Sequence, residues 1–245
     1  AERVPEVLAK YEGEIQELKI KVAEKGQSLT DDIARVAAAR DALPNARLKV
    51  DANMGYTLGG ALDALRKLCE YGIIYAEQPV ASIEDMAALR FAIAKERLPA
   101  RIAADESIRK AEDPLKVARA NAADLMVIKA APLGGVRRAL ALVEQAQLPA
   151  IVSSALESSV GIATGASLAA SLPTLRYGCG LGTVSLMAED VTDEPLIARD
   201  GFMDLRTITP SPQRLERLAT DEQTRQWWVE RVTACYRVLE RACGL

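Results

Sequence analysis

Short apolar runs that end in polar residues alternate with longer amphipathic stretches through most of this chain, at a spacing of about 24 to 32 residues. The runs are QELKIKV from Gln16, RLKVDA from Arg47, IIYAEQ from Ile73, RIAADE from Arg101, DLMVIKA from Asp124, PAIVSSA from Pro149 and TLRYGCG from Thr174. Near-continuous apolar strands separated by helices mark a parallel sheet with helices packed on it. The intervening stretches SLTDDIARVAAARDAL, TLGGALDALRKLCEYG, SIEDMAALRFAIAKERL and GVRRALALVEQAQL carry apolar residues at helical spacing, with Ser, Thr or Asp near several starts. The opening AERVPEVLAKY also reads as a helix. Seven strands at this period fit a (β/α)8 barrel whose first strand lies before Ala1. An open doubly wound sheet is the rival, but no GxGxxG follows the first run. The Gly134-Gly135 pair is either a tight turn or an anion cradle. Beyond Gly178 the pattern decays, and Pro212 to Gly244 reads as a polar, then amphipathic, closing helix in which Trp227 and Trp228 are packing residues.

The chain has 245 residues, enough for one large domain or two small ones, and 49% of them are apolar. No apolar run approaches the length of a membrane span. Net charge is -3 and both signs are mixed throughout, basic pairs such as Arg137-Arg138 included, so no nucleic-acid or anionic-membrane surface is expected. Cys69, Cys179, Cys235 and Cys243 form no CxxC pair, which argues against a zinc site and a disulfide scaffold. No signal peptide is visible, so a reducing cytoplasm is expected. The absence of histidine decides more. Nucleophiles activated by imidazole are excluded, as are histidine-ligated metals. A general acid or base must be a tuned Lys, Asp, Glu, Tyr or Cys, and a metal must be held largely by oxygen, which favours Mg2+, Mn2+ or Ca2+.

Catalytic groups of a barrel sit at the C-terminal ends of its strands. Those ends carry, in order, Lys19 and Lys21, Asp51 and Asn53, Glu77 and Gln78, Asp105 and Glu106, Lys129, and Ser153 and Ser154. One strand-end Asp is ordinarily a helix cap. Asp51, Glu77 and Asp105, on successive strands, would repel one another unless a cation sat among them. Mg2+ suits such a site, since it takes oxygen ligands and keeps positions for water or substrate. Residues two apart in a strand share a face, so Lys19 and Lys21 both point into the barrel mouth, with Lys129 arriving from the far side. A lysine near another cation and partly desolvated titrates lower and serves as a base near neutral pH. The plain structural alternative makes these lysines ion-pair partners of the carboxylates. The chemistry the set suits is removal of a proton next to a carboxylate, with a divalent metal stabilising the enediolate.

The motifs KIK, VDAN, EQP, ADES, VIKAAPLGG and SSALESSVG, in this order, resemble the enolase superfamily over about Leu18 to Thr183. A lysine base paired with Mg2+ is that superfamily's pattern. Within it the chain is similar to the muconate-lactonizing-enzyme branch. Through SSALESSVG and GCGLGTVSL it is most like those members that dehydrate 2-succinyl-6-hydroxy-2,4-cyclohexadiene-1-carboxylate to o-succinylbenzoate for menaquinone synthesis. The resemblance implies an α/β fold, a barrel of the (β/α)7β type, with Asp51, Glu77 and Asp105 as ligands of Mg2+ or Mn2+. It implies Lys21 as the base, Lys129 as the group that stabilises the enolate, and Lys19 as a support near the substrate carboxylate. Asn53 falls at the substrate and, with Glu106, orients the ligands; Ser153, Ser154 and the turn from Gly180 to Gly182 line a pocket for the succinyl tail and ring.

Family members also carry an N-terminal α+β capping domain. This chain shows neither that domain nor a first barrel strand, and the expectation is a natural protein with an N-terminal portion beyond this sequence. The expected organisation is a barrel over residues 1–210 and a helical segment over 211–245 that packs on the barrel or on a cap. The expected partner is a small-molecule carboxylate, not nucleic acid or membrane. Other readings stay open. An N-succinylamino acid racemase or dipeptide epimerase would use Lys21 and Lys129 as paired acid and base. A Schiff-base aldolase would use Lys129 as nucleophile but leaves the acidic triad without a role. A non-catalytic barrel acting as a structural or interaction protein would need no metal.

Overall fold

The computed structural model describes residues 1–9 and 15–243. Six parallel strands form one sheet in sequence order: β1 (Glu17–Lys21), β2 (Arg47–Asp51), β3 (Ile73–Glu77), β4 (Arg101–Ala104), β5 (Leu125–Ile128) and β6 (Ala150–Val152). A short helix α1 (Val4–Leu8) precedes them; Lys10 and Tyr11 of the expected opening helix lie outside the described residues. The connections carry α2 (Leu29–Ala42), α3 (Leu58–Leu68), α4 (Ile83–Glu96), the short α5 (Glu106–Arg109) and α6 (Lys116–Arg119), and α7 (Val136–Ala146); α8 (Ser159–Ala170) follows β6. Side chains set the helix starts. Ser28 and Asp31 form a reciprocal capping box at α2, and Thr57 and Ser82 accept backbone N–H groups at α3 and α4. Gly134 and Gly135 both have positive φ, at 82° and 105°, and make the tight turn into α7.

Strand period two sorts the residues into an outer and an inner set. Met126 and Ile128 of β5 belong to the large core between sheet and helices, whereas Leu125 and Val127 join Tyr75, Ala103, Ile151 and Tyr177 in a small core inside the barrel. The inner set on each strand continues upward into the charged residues. Lys19 and Lys21 follow Glu17, Asp51 follows Lys49, Glu77 follows Tyr75, and Lys129 follows Val127.

The expected seventh strand, from Thr174, is reduced to a single parallel bridge between Ser153 and Gly180. Its backbone is claimed by side chains from the opposite edge of the sheet. Glu17 Oε2 accepts the Gly178 N–H at 2.8 Å, Lys49 Nζ donates to the Gly178 carbonyl at 3.2 Å, and Arg47 donates to the Arg176 carbonyl at 3.3 Å. Tyr177 turns inward, meets Tyr75 edge to face at 5.6 Å and accepts from Arg101 at 2.7 Å. The segment thus links β6 to β1 across the base of the barrel without a ladder.

The closing region is two helices, α9 (Pro212–Arg217) and α10 (Glu222–Cys243), rather than one. Asp221 accepts the Thr224 N–H at 2.9 Å and starts α10 afresh, which carries it out of the layer that covers the sheet. Residues 222–239 are exposed. Trp227 and Trp228 are about half exposed and meet each other edge to face at 4.8 Å. Gly244 lies outside the described residues, as does the side chain of Cys243. Among the described residues no helix is long and apolar enough to cross a membrane.

Glu17 also pairs with Lys49, which is buried over the Tyr75 ring. Glu17→Ala leaves that ammonium without its carboxylate and the Gly178 N–H without its acceptor, so a loss of about 3 kcal/mol is expected in urea denaturation. A change under about 0.5 kcal/mol, the scale of ordinary surface substitutions, would show that the segment is held by other contacts.

Candidate active site

Parallel register brings the polar strand ends level. Lys21 is aligned with Asp51, Asp51 with Glu77, and Glu77 with Ala103, two residues before Asp105. Asp51, Glu77 and Asp105 are 1%, 2% and 2% exposed, so water cannot solvate them and each needs a partner inside the fold.

Lysines supply those partners. Lys19 Nζ donates to Glu77 Oε1 at 2.8 Å and lies 3.1 Å from Asp51 Oδ2. Lys21 Nζ donates to Asp51 Oδ2 at 2.6 Å and to Asn53 Oδ1. From β5, Lys129 Nζ donates to Asp105 Oδ2 at 2.8 Å. Asn53 joins the groups through its Nδ2, 3.3 Å from Glu106 Oε1, and its N–H, 3.1 Å from Asp51 Oδ1. Both readings of the lysines thus begin from one arrangement, an ion-paired layer open at the barrel mouth.

The pairing shifts the titrations. Burial alone would lower the Lys19 pKa, but Glu77 and Asp51 outweigh it and raise it to about 12. Burial works upward on Asp51 too, yet Lys19 and Lys21 hold it below the usual carboxylate range. At Glu77 burial, reinforced by Asp51 and Asp105, prevails over the pull of Lys19 and pushes the carboxyl up.

Among the described residues no three acidic side chains close around one point, because ammonium groups stand between them. The donor set nonetheless suits a hard divalent cation. Three buried carboxylates lie at the ends of adjacent strands, and Glu106 Oε2, next in the chain to Asp105, is buried with no hydrogen-bond partner.

Ser153, Ser154 and Gly182 stand apart from this layer. Both serine hydroxyls donate to the Gly180 carbonyl, at 3.4 and 3.0 Å, and Thr183 Oγ1 donates to Ser154 Oγ at 3.1 Å. Gly182 opens a one-turn 3-10 helix, and a Cβ there would meet nothing within 4 Å, so the backbone does not require glycine.

Two residues given no role from the sequence belong to the site. Arg109, on α5, reaches Asp105 Oδ1 at 3.1 Å and Glu106 Oε1 at 2.7 Å. Its spacing of four and three from those acids was the available signal. Gln78 is fully buried, and its Oε1 accepts the N–H groups of Asp105 at 3.0 Å and Ser107 at 3.1 Å. Its Nε2 donates to Ser107 Oγ at 2.8 Å and the Val80 carbonyl at 3.0 Å. Gln78 therefore fixes the turn that presents Asp105.

A parallel barrel with carboxylates on successive strand ends and lysines on both flanks defines the enolase-type class of enzyme site. The chain belongs to that family: the Enolase C-terminal domain-like model matches residues 2–210. It is 52% identical over 240 residues to the o-succinylbenzoate synthase of Mycolicibacterium smegmatis, covering 98% of this chain and 72% of that protein. It is 48% identical over 245 residues to the o-succinylbenzoate synthase of Mycobacterium leprae, covering 100% of this chain and 71% of that protein. Among solved structures it resembles the muconate lactonizing enzyme from Pseudomonas putida, with a TM-score of 0.73 and 28% identity, over 84% of this chain and 59% of that one. A muconate cycloisomerase variant matches with a TM-score of 0.74 and 27% identity, and the chain spans 58% of its length.

Gln78→Leu would strip two buried N–H groups of their acceptor, and a loss of at least about 2 kcal/mol is expected in urea denaturation. A variant as stable as the parent would show that the Asp105 turn is held without Gln78.

Proposed function

We propose that this chain acts as an o-succinylbenzoate synthase, a hydro-lyase of menaquinone biosynthesis in the cytoplasm. Its substrate is the small carboxylate 2-succinyl-6-hydroxy-2,4-cyclohexadiene-1-carboxylate, and no nucleic acid or membrane takes part. The observation that carries the reading is the buried layer in which Asp51, Glu77 and Asp105 alternate with lysines, in a chain 52% identical to a protein of that name.

Asp51, Glu77 and Asp105 would hold Mg2+, with Mn2+ as a substitute. The metal supplies a Lewis acid for the substrate carboxylate and stabilises charge on the enediolate. Lys19 is paired with two carboxylates, stays an ammonium and orients the substrate carboxylate. The Lys21 side chain is 52% exposed at the open mouth, and its amine, once released from Asp51, takes the proton next to the carboxylate. The C–H electron pair moves into the enediolate, whose charge Lys129 stabilises from the opposite flank. The pair then returns to the ring as the C–O bond to the hydroxyl breaks. The hydroxyl takes a proton from a nearby acid and leaves as water, and the ring becomes aromatic. Asn53 contributes to substrate binding and, with Glu106, orients the ligands, while Ser153, Ser154 and Gly182 line the pocket for the succinyl tail. The domain division belongs to the same reading: a barrel over 1–210 and a helical segment over 211–245 that packs on the barrel or on a cap.

The opposed positions of Lys21 on β1 and Lys129 after β5 also suit a two-base racemase of N-succinylamino acids. The names of the relatives favour dehydration. Turnover of the cyclohexadiene substrate by the full-length protein, with Mg2+ and then with EDTA, tests the choice. Metal-dependent product is expected, with Lys21→Ala and Lys129→Ala each lowering kcat by at least about 100-fold. No turnover with Mg2+, together with α-proton exchange on N-succinylamino acids, would replace this reading by the racemase.

A further inference from the structure

Just past Lys21 the chain leaves β1 through a turn that is held from outside the charged layer. Asp32, in the first turn of α2, is 1% exposed. Its Oδ2 accepts the N–H of Ala23 at 2.9 Å and the hydroxyl of Tyr56 at 2.7 Å. Its Oδ1 accepts from Arg35 Nη1 at 3.2 Å, and the same nitrogen donates to the Lys21 carbonyl at 2.7 Å. The start of α2 does not call for this carboxylate, since Ser28 and Asp31 already cap it.

What Asp32 joins is more specific. Ala23 has a φ of 57°, in the left-handed region that alanine rarely enters, so the turn after Lys21 depends on external bonds. Tyr56 comes from the loop after β2, which also carries Asn53, the partner of Lys21 Nζ. These two loops meet backbone to backbone at Gly55, where a Cβ would stand 2.6 Å from the Ala23 carbonyl oxygen. To take a proton from substrate, Lys21 Nζ must leave Asp51. From that moment its reach is set by the backbone to which its flexible stem is attached.

We propose that Asp32, with Tyr56 and Arg35, is a positioning device that fixes the backbone of Lys21 and so aims its amine at the substrate. The proposal rests on the reading of Lys21 as the base. The test compares Tyr56→Phe, which removes one oxygen, and Asp32→Asn with the full-length parent. The readouts are steady-state kinetics, the primary deuterium isotope effect at the abstracted position, Mn2+ affinity, and hydrogen exchange of residues 21–27.

The expected result is a kcat lowered about 10-fold, within the ~100-fold that a 1 Å misplacement costs, with KM and Mn2+ affinity changed by less than about twofold. The isotope effect should rise as proton abstraction becomes slower, and the 21–27 segment should exchange faster. Should Asp32→Asn fail to fold, Tyr56→Phe decides alone. A normal kcat and isotope effect with only a lower Tm would overturn the proposal. So would a fall in kcat matched by weaker Mn2+ binding, which would place the effect on Asp51. Lys21→Ala that retained turnover would overturn the assignment of the base, and the positioning role with it.

Discussion

The barrel mouth depends on the neutralisation of buried carboxylates by cations, some buried and some part-exposed. Asp51, Glu77, Asp105 and Glu106 face Lys19, Lys21, Lys129 and Arg109. Removing one partner of such a pair costs about 3–5 kcal/mol, whereas an apolar replacement of the whole set would often be neutral or better. A folding requirement alone therefore gives little reason for this layer. The layer is preorganised for charge, with ammonium groups standing beside buried carboxylates. Tuned ionisable groups gathered in one cleft are a signature of function.

The rest of the barrel positions that layer. Period two puts Tyr75, Leu125, Val127 and Ile151 directly beneath the charged residues, as an apolar floor that keeps water from the carboxylates. Toward the base a second charged set, Glu17 and Arg47 with Lys49 level with Tyr75, draws the segment around Gly178 across the gap between β6 and β1. The same residue class serves opposite ends differently. At the base the charges bind backbone and hold the fold; at the mouth they bind one another. Gln78 and Asp32 act around the mouth, one on the turn into Asp105 and the other on the turn out of Lys21.

Much of this was legible in the sequence because strand register preserves spacing. The inner residues of five successive strands and their ends, Lys19 and Lys21 through Lys129, can be placed on one face from alternation alone, and the structure brings them together. The seventh strand could not be told from a true one, since its loss depends on Glu17, Lys49 and Arg47, which are more than a hundred residues away in the chain. Apolar bulk makes Trp227 and Trp228 read as packing residues, whereas their exposure here is a property of tertiary position that sequence does not carry. Gln78, at a strand end, and Asp32, at a helix start, have no role legible in sequence for a related reason: such polar residues look like ordinary capping until the buried groups they accept from are traced. The distinction between ion-paired lysines and a metal-binding triad was likewise beyond pattern, because both use the same residues.

The most direct measurement is a Mn2+ titration of the full-length protein by electron paramagnetic resonance, for the parent and for Glu77→Gln. One saturable ion per chain is expected in the parent, with affinity in the variant lowered beyond the roughly 10–100-fold that loss of a mere orienting partner costs. No saturable ion in the parent, or equal affinity in Glu77→Gln, would contradict a metal centre at these three carboxylates and leave the layer as an ion-pair network alone.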